Sequence, residues 1–225
     1  MAQQSAKLTS EAIVSAAIDV ADRDGLDALS MRRLADELGV GAMSLYRHVA
    51  DKDALLAEMA SEVGRRYPYP VDDTASSWRA RVQIAVDIDW DLYQRHPWVV
   101  LAYSAPRYSF GVDSLAGLDW LAAGFVELGV GVGRATEMGL TLWSFVNGVA
   151  LAAVGEKLLR AETPGDYPGG LADLIAGRVD ADLTHLPTLA HLVGDAAAEQ
   201  LVDPRSELDA GVDYLCAGFE AAAGR

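Results

Sequence analysis

Cysteine is almost missing from this chain. Cys216 is the single one in 225 residues, so no intrachain disulfide framework is available and a reducing compartment suffices. Its plain role is that of a small apolar residue on a helix. Long apolar runs are missing too. No stretch of eighteen or more apolar residues is free of a charge or a breaker, so no segment is expected to span a membrane. The opening MAQQSAKLTSEAIV has no apolar core ahead of a small-residue cleavage site, which removes a secretory signal and leaves a cytoplasmic protein as the expectation. Positive charge is scarce, with 18 Lys and Arg against 33 Asp and Glu and a net charge of −15. Binding nucleic acid over a whole surface needs concentrated Lys and Arg to release counterions, so a general coat protein is excluded, whereas one local DNA-binding face is not. Motifs of catalysis are also wanting: there is no G-x-S-x-G, no P-loop and no Cys/His cluster, and His96, His185 and His191 lack ligand-pair spacing. No catalytic residue, metal site or cofactor is therefore expected.

What remains is rich in core material, 51% hydrophobic and 23% charged. That suits a folded chain with a substantial core, not a disordered one. Helical periodicity fills the intervals between glycines and prolines, and no strand-like alternation stands out, so the fold class expected is all-α. Thr9 or Ser10 can cap a first helix whose Ile13, Ala16, Ala17, Val20 and Ala21 form one apolar stripe, ending at Asp24-Gly25. Ser30 caps a second helix, with Leu34, Ala35 and Leu38 inward and Gly39 as its stop. A very short helix over 42–49 follows, and Asp51 caps a fourth running to Arg65-Arg66. The Tyr67-Pro68-Tyr69-Pro70-Val-Asp-Asp segment reads as a joint, because prolines so close together cannot lie inside a helix. Beyond it the periodicity predicts helices near 75–95, 97–103, 111–128, 133–160, 188–200 and 204–223, with a loop at the TPGDYPGG run inside 161–187. The domains expected are thus 1–66 and 67–225. Gly129-Val-Gly131-Val-Gly133 follows a helix-patterned stretch, not a strand, and so reads as a turn between helices and not a dinucleotide loop.

The most informative stretch runs from Leu29 to Leu56. A helix-turn-helix needs a packed supporting helix, a sharp turn, and a second helix short enough to lie in a major groove. Leu34, Ala35 and Leu38 supply the packing, Gly39 the turn, and Val40 and Leu45 plug the angle between the helices. The outward positions are then Ala42, Met43, Ser44, Tyr46, Arg47 and His48. Small side chains near the helix start allow close approach to base edges. Ser44 can bond a base or phosphate, Met43 can touch a thymine methyl, and Tyr46 and His48 suit phosphate or sugar. Arg32, Arg33 and Lys52 flank the short helix as candidate phosphate clamps. Residues 1–60 nonetheless hold ten acids against six bases. The expectation is that the bases from Arg32 to Lys52 share the reading side while Asp19, Asp22, Asp24 and Asp27 lie elsewhere.

The pattern from Ala17 to Leu56, above all Ser44-Leu45-Tyr46-x-His48-Val49-x-x-Lys52, resembles the N-terminal domain of the TetR family of repressors. The Trp78-containing start of the fifth helix and the run Gly211 to Phe219 resemble its tetracycline-repressor subfamily. The resemblance implies a homodimer built from two C-terminal helices, a reading head on each monomer, and an inducer pocket in the C-terminal domain. Carried over position by position, it assigns DNA-facing roles to Arg32, Ala42, Met43, Ser44, Tyr46, His48 and Lys52. The ligand domain departs from the tetracycline pattern: Pro68, Ala85, Asp89, Tyr103 and Ala152 stand where that repressor places pocket and metal-binding side chains, so tetracycline is not the expected ligand.

Aromatic residues crowd the stretch 78–145, and a pocket for a planar or apolar ligand needs such walls plus a few polar groups. The candidate lining is Trp90, Tyr93, Trp98, Tyr103, Trp120 and Trp143, with Asp89, Ser144 and Asn147 as orienting polar groups. Each aromatic, taken singly, also fits ordinary core. The function expected is a cytoplasmic, homodimeric transcription regulator that leaves a palindromic operator when a small molecule binds. Its rivals are a small-molecule binding protein with a degenerate head, favoured by the acidic first domain, and a helical enzyme, favoured by the glycine run and the aromatics.

Overall fold

Three helices of the first quarter start where a side-chain oxygen takes an orphan backbone N–H, while the single-turn helix after Gly41 starts without one. Thr9, not Ser10, caps α1 (Ser10–Asp24), accepting from the Ala12 amide. Ser30 accepts from the Arg33 amide at the start of α2 (Met31–Glu37), and Asp51 from the Ala54 amide at the start of α4 (Lys52–Arg66). Between them lies α3 (Ala42–Leu45), a single turn; the chain then continues to Val49 in turns instead of helix. Gly39 makes the corner between α2 and α3 at φ 65°, in the left-handed region that a side chain resists. Ile13, Ala17, Ile18, Leu34, Leu45, Leu55 and Met59 close over one core, with α4 packed on α1 and α3 on α2.

The structure is a computed structural model that describes residues 8–70, 77–109, 111–159, 171–178 and 185–224. Positions 71–73 of the joint, the first residues of the helix expected near 75, Phe110 and the whole TPGDYPGG run lie outside them. The described residues contain no strand, in agreement with an all-α chain. After the joint come α5 (Trp78–Arg95), α6 (Val99–Tyr103), α7 (Pro106–Ser109), α8 (Val112–Val126), α9 (Val132–Leu159), α10 (Leu171–Ile175) and α11 (Pro204–Ala223). The chain divides into two compact units, one ending at Val154 and the other starting at Gly155.

In the first unit α5 lies along α8, and α4 touches α6, α7 and α8. Gly129, at φ 81°, turns the chain from α8 into α9, so the glycine run is an interhelix turn. The stretch Val132–Gly155 is long and apolar enough, by composition, to cross a membrane. Counting uninterrupted apolar runs passes over it because the charge-free stretch after Glu137 is broken by Gly139, Thr141, Ser144, Asn147 and Gly148. Its Ala135, Met138, Leu142, Val146, Val149 and Ala150, at spacings of three and four, are buried in the fold as a core stripe.

In the second unit, 3-10 turns replace the helix expected over 188–200: Leu189–Leu192 and Ala196–Val202 are separate 3-10 segments. Gly194, at φ 72°, donates its amide to the Ile175 carbonyl and thereby breaks the helix between them. The final helix α11 starts on Asp203, whose carboxylate caps Ser206, with Pro204 in the first turn where its missing N–H costs nothing.

Candidate nucleic-acid interface and ligand cavity

The single turn α3 is held from beneath by Leu45, fully buried, while Met43 (74% exposed) and Tyr46 (47% exposed) stand out. Arg47 and His48 are exposed beside them, and Ala42 and Ser44 are half-buried at the helix start. Of the six expected positions, Met43, Tyr46, Arg47 and His48 are thus exposed and Ala42 and Ser44 half-buried, with 46–48 in the turn that follows α3. Arg32 is exposed on α2. Arg33 and Lys52 are exposed too but engaged: Arg33 donates to the Asp24 carboxylate at 2.6 Å, and Lys52 Nζ to the Leu26 carbonyl at 3.4 Å. This corrects the expectation that Asp24 lies away from the basic side. Gly25 ends α1 so close to α2 that Asp24 reaches both Arg33 and Arg23, and Arg23 spans to Glu37 at 3.2 Å.

Behind this head, and within the same compact unit, lies a cavity of about 580 Å³. Its walls come from the joint and from helices α4 to α9, Ser109 standing for α7. The end of α4 and the joint supply Gly64, Arg65, Tyr67, Pro68 and Tyr69; α5 supplies Asp89, Leu92 and Tyr93; Tyr103 and Ser104 close the α6 end; α8 adds Asp113, Ser114 and Gly117; α9 adds Leu140, Trp143, Ser144 and Asn147. Close approach explains two glycines here. A Cβ on Gly64 would sit 3.2 Å from the Tyr103 hydroxyl, and one on Gly117 3.1 Å from the Tyr69 ring.

A line of hydrogen bonds crosses the cavity wall. Trp143 Nε1 donates to the Tyr69 hydroxyl at 2.9 Å, and Tyr69 donates to Asp89 Oδ2 at 2.8 Å. Burial raises the Asp89 carboxyl to a pKa of about 7, the Tyr69 bond pulling weakly the other way. Burial likewise pushes the Tyr69, Tyr93 and Tyr103 phenols up, with the Asp89 charge adding to it, so all three stay neutral at ordinary pH. Tyr103 donates to the Ala60 carbonyl of α4 at 3.2 Å. Asn147 donates to Ser104 Oγ at 3.1 Å, while its own carbonyl oxygen is buried without a partner among the described residues.

Six of the nine residues proposed from sequence as ligand-lining thus meet at this cavity: Asp89, Tyr93, Tyr103, Trp143, Ser144 and Asn147. Three do not. Trp98 is sealed in the core, its Nε1 donating to Asp22 Oδ1 at 2.8 Å. Trp120 is buried under the Arg81 guanidinium, 5.1 Å from its ring centroid, while Arg81 donates to the Trp120 carbonyl at 2.8 Å. Trp90 is half-buried on α5 one residue past Asp89, about 100° around the helix from the side that faces the cavity. Tyr69, Asp113 and the end of α4 join the lining without having been expected there. A tyrosine between two prolines marks a stiff joint, but nothing local says that its ring turns inward.

A small packed head with an outward single-turn helix, joined through a proline-rich segment to helices around a cavity, defines a helix-turn-helix regulator. Residues 13–59 match the family described as bacterial regulatory proteins, tetR family. An HTH-type transcriptional regulator of Saccharopolyspora erythraea is 33% identical over 217 residues, covering 96% of this chain and 86% of that one. The chain belongs to the TetR family of bacterial transcriptional repressors. The HTH-type transcriptional repressor DrrR1 of Streptomyces coeruleorubidus is 41% identical over 112 residues, which span 50% of this chain and 41% of the relative. Among solved structures, the TetR family protein ActR of Streptomyces coelicolor in complex with actinorhodin is similar over 98% of this chain and 100% of its own, at TM-score 0.78 and 28% identity.

Proposed function

We propose that this chain is a cytoplasmic, homodimeric repressor whose residues 1–66 occupy a palindromic operator and whose residues 67–225 release it when a small aromatic molecule binds. The observation that carries the reading is the shared wall. The joint that holds the head, Tyr67 to Tyr69, is also one side of the 580 Å³ cavity, together with Gly64 and Arg65 of α4. A ligand entering there presses directly on the segment that sets the position of the head. Both heads of a dimer must fit the major groove together, so a shift of a few ångströms in their separation loses the second half-site. A hundredfold release then requires roughly 2.7 kcal/mol of ligand preference for the DNA-incompetent state, and operator weakens ligand binding by the same factor. That ActR has been solved with actinorhodin supports a small-molecule occupant for this kind of fold.

The DNA half is tested on the exposed face of α3 and its flank. Tyr46→Ala, His48→Ala and Lys52→Ala combined are expected to weaken binding to the chain's own upstream DNA and to flatten its salt dependence by roughly one unit for each phosphate no longer neutralised. Fluorescence anisotropy over a salt series measures both. Unchanged affinity in the triple variant refutes the reading, and leaves the rival that Asp24, holding Arg33 at 2.6 Å, favours: a small-molecule binder with an inactive head.

The assembly half rests on α11. Tyr214 is 77% exposed there, and Ala210, Ala217 and Gly218 share its uncovered surface in small-residue spacing that permits close helix approach. Two half-sites also need two heads. Light scattering at micromolar concentration is expected to give twice the 23.9 kDa chain mass; a monomer contradicts the proposal.

A further inference from the structure

We propose that the cavity is selective for a planar organic cation carrying N–H donors, seated with its charge against the Asp89 carboxylate and its ring between Tyr93, Tyr103 and Trp143; this rests on the sensor reading above and adds the chemical class of the ligand. Three observations on the cavity point the same way. Its charged lining is acidic on balance: Asp89 and the exposed Asp113, which accepts from Ser61, stand against a single base, Arg65, which is exposed and bridged to Glu62. Two of its polar groups can only accept once Asp89 is ionised, whereas the Tyr67, Tyr93 and Ser114 hydroxyls beside them can turn to donate or accept. Asp89 takes one hydrogen bond, from Tyr69, among the described residues, and the buried Asn147 carbonyl oxygen takes none. A ligand that brings N–H donors satisfies both of these acceptors. Tyr67, Tyr69, Tyr93, Tyr103 and Trp143 line it beside Leu92 and Leu140, and aromatic ring faces attract a delocalised cation and not an anion.

Seating a cation also moves a proton. The titratable groups that share the cavity with Asp89 are Tyr69 from the joint, Tyr93 from its own helix, Tyr103 from α6, Asp113 from α8, and Arg65 from α4 with Tyr67 beside it. The phenols are held neutral by burial, so none of them competes for the proton near neutrality. Burial leaves the empty Asp89 carboxyl partly protonated at pH 7. An arriving cation favours the carboxylate, and the displaced proton leaves for solvent.

The probes are three acridines of matched shape: 9-aminoacridine, a cation; acridone, neutral; and acridine-9-carboxylate, an anion. Each is titrated by fluorescence into the full chain without DNA. The cation is expected to bind at least tenfold tighter than acridone, with the anion weakest. Between pH 6 and pH 8, where 9-aminoacridine stays charged, its affinity is expected to rise about tenfold, following ionisation of Asp89. Asp89→Asn removes both the gap between cation and acridone and the pH dependence. The wild-type comparison of the three charges stands on its own if that variant fails to fold. An anion that binds as tightly as the cation, or a cation affinity flat with pH, overturns the proposal. Acridone binding equal to the cation also overturns it but leaves the sensor reading standing, since a planar molecule has entered. Failure of all three to bind removes both.

Discussion

Replacing Trp98 with alanine is expected to lower the unfolding free energy by about 3–5 kcal/mol, the range for emptying a well-packed aromatic site in a core. Trp98 is 1% exposed and stands at the N-cap of α6. Its indole N–H donates to Asp22 Oδ1 at 2.8 Å, and the same carboxylate meets His96 Nδ1 at 2.9 Å. Asp22 belongs to α1 and His96 caps α5, so one carboxylate clips the first helix to the corner between α5 and α6. Trp98→Phe keeps most of the volume and drops the donor, for an expected loss of about 1–2 kcal/mol. Guanidinium denaturation followed by circular dichroism, with the slopes compared, measures both. If Trp98→Phe costs as much as Trp98→Ala, the hydrogen bond and not the packing holds this corner; a loss below about 1 kcal/mol for the alanine variant contradicts the packing account.

The head was legible in the sequence because its signals are local. Ser30 and Asp51 sit three residues before the amides they cap, Gly39 occupies a corner that needs a positive φ, and Leu34, Ala35 and Leu45 fall at helical spacing. None of these depends on what lies across the molecule. The cavity was legible only in part, because an aromatic residue carries no local mark of whether it walls a cavity or fills a core. Trp143 and Trp98 look alike in sequence, yet one meets Tyr69 at the cavity and the other meets Asp22 in the interior. Asp22 itself reads from sequence as a solvated residue of α1; its partners lie 74 and 76 positions away, beyond any periodicity. Pro106 misleads in the opposite sense. It falls between the helices expected near 97–103 and 111–128, where a proline suggests a break, yet it opens the short helix α7, where a proline at the first helical position loses no bond.

Stability is expected to fall as pH rises from 5 to 8, and Asp89 is expected to supply about 2–3 kcal/mol of that fall. Burial within the cavity wall lifts this carboxyl from its ordinary value of 3.8 to about 7. An acid whose pKa is raised by folding keeps its proton in the folded chain at pH values where the unfolded chain has already released it. Its stabilising contribution is therefore complete below about pH 4 and is lost as pH climbs through 7. Each tenfold in proton affinity is worth 1.36 kcal/mol, so the full swing comes to about 4 kcal/mol, of which the interval from pH 5 to pH 8 holds the larger share. Water reaching the half-buried side chain screens part of it, which favours the lower end of the range. Other carboxylates titrate over the same interval, so the quantity to read is the difference between wild type and Asp89→Asn. The amide keeps an oxygen for the Tyr69 hydroxyl and cannot ionise. Asp89→Asn is thus expected to match wild type near pH 5 within about 1–2 kcal/mol, and to exceed it at pH 8, where the wild-type chain bears a buried carboxylate. Urea denaturation at half-unit pH steps gives the two profiles. Parallel profiles would mean that Asp89 titrates in the folded chain as it does in water, and would remove the buried acid from the floor of the cavity.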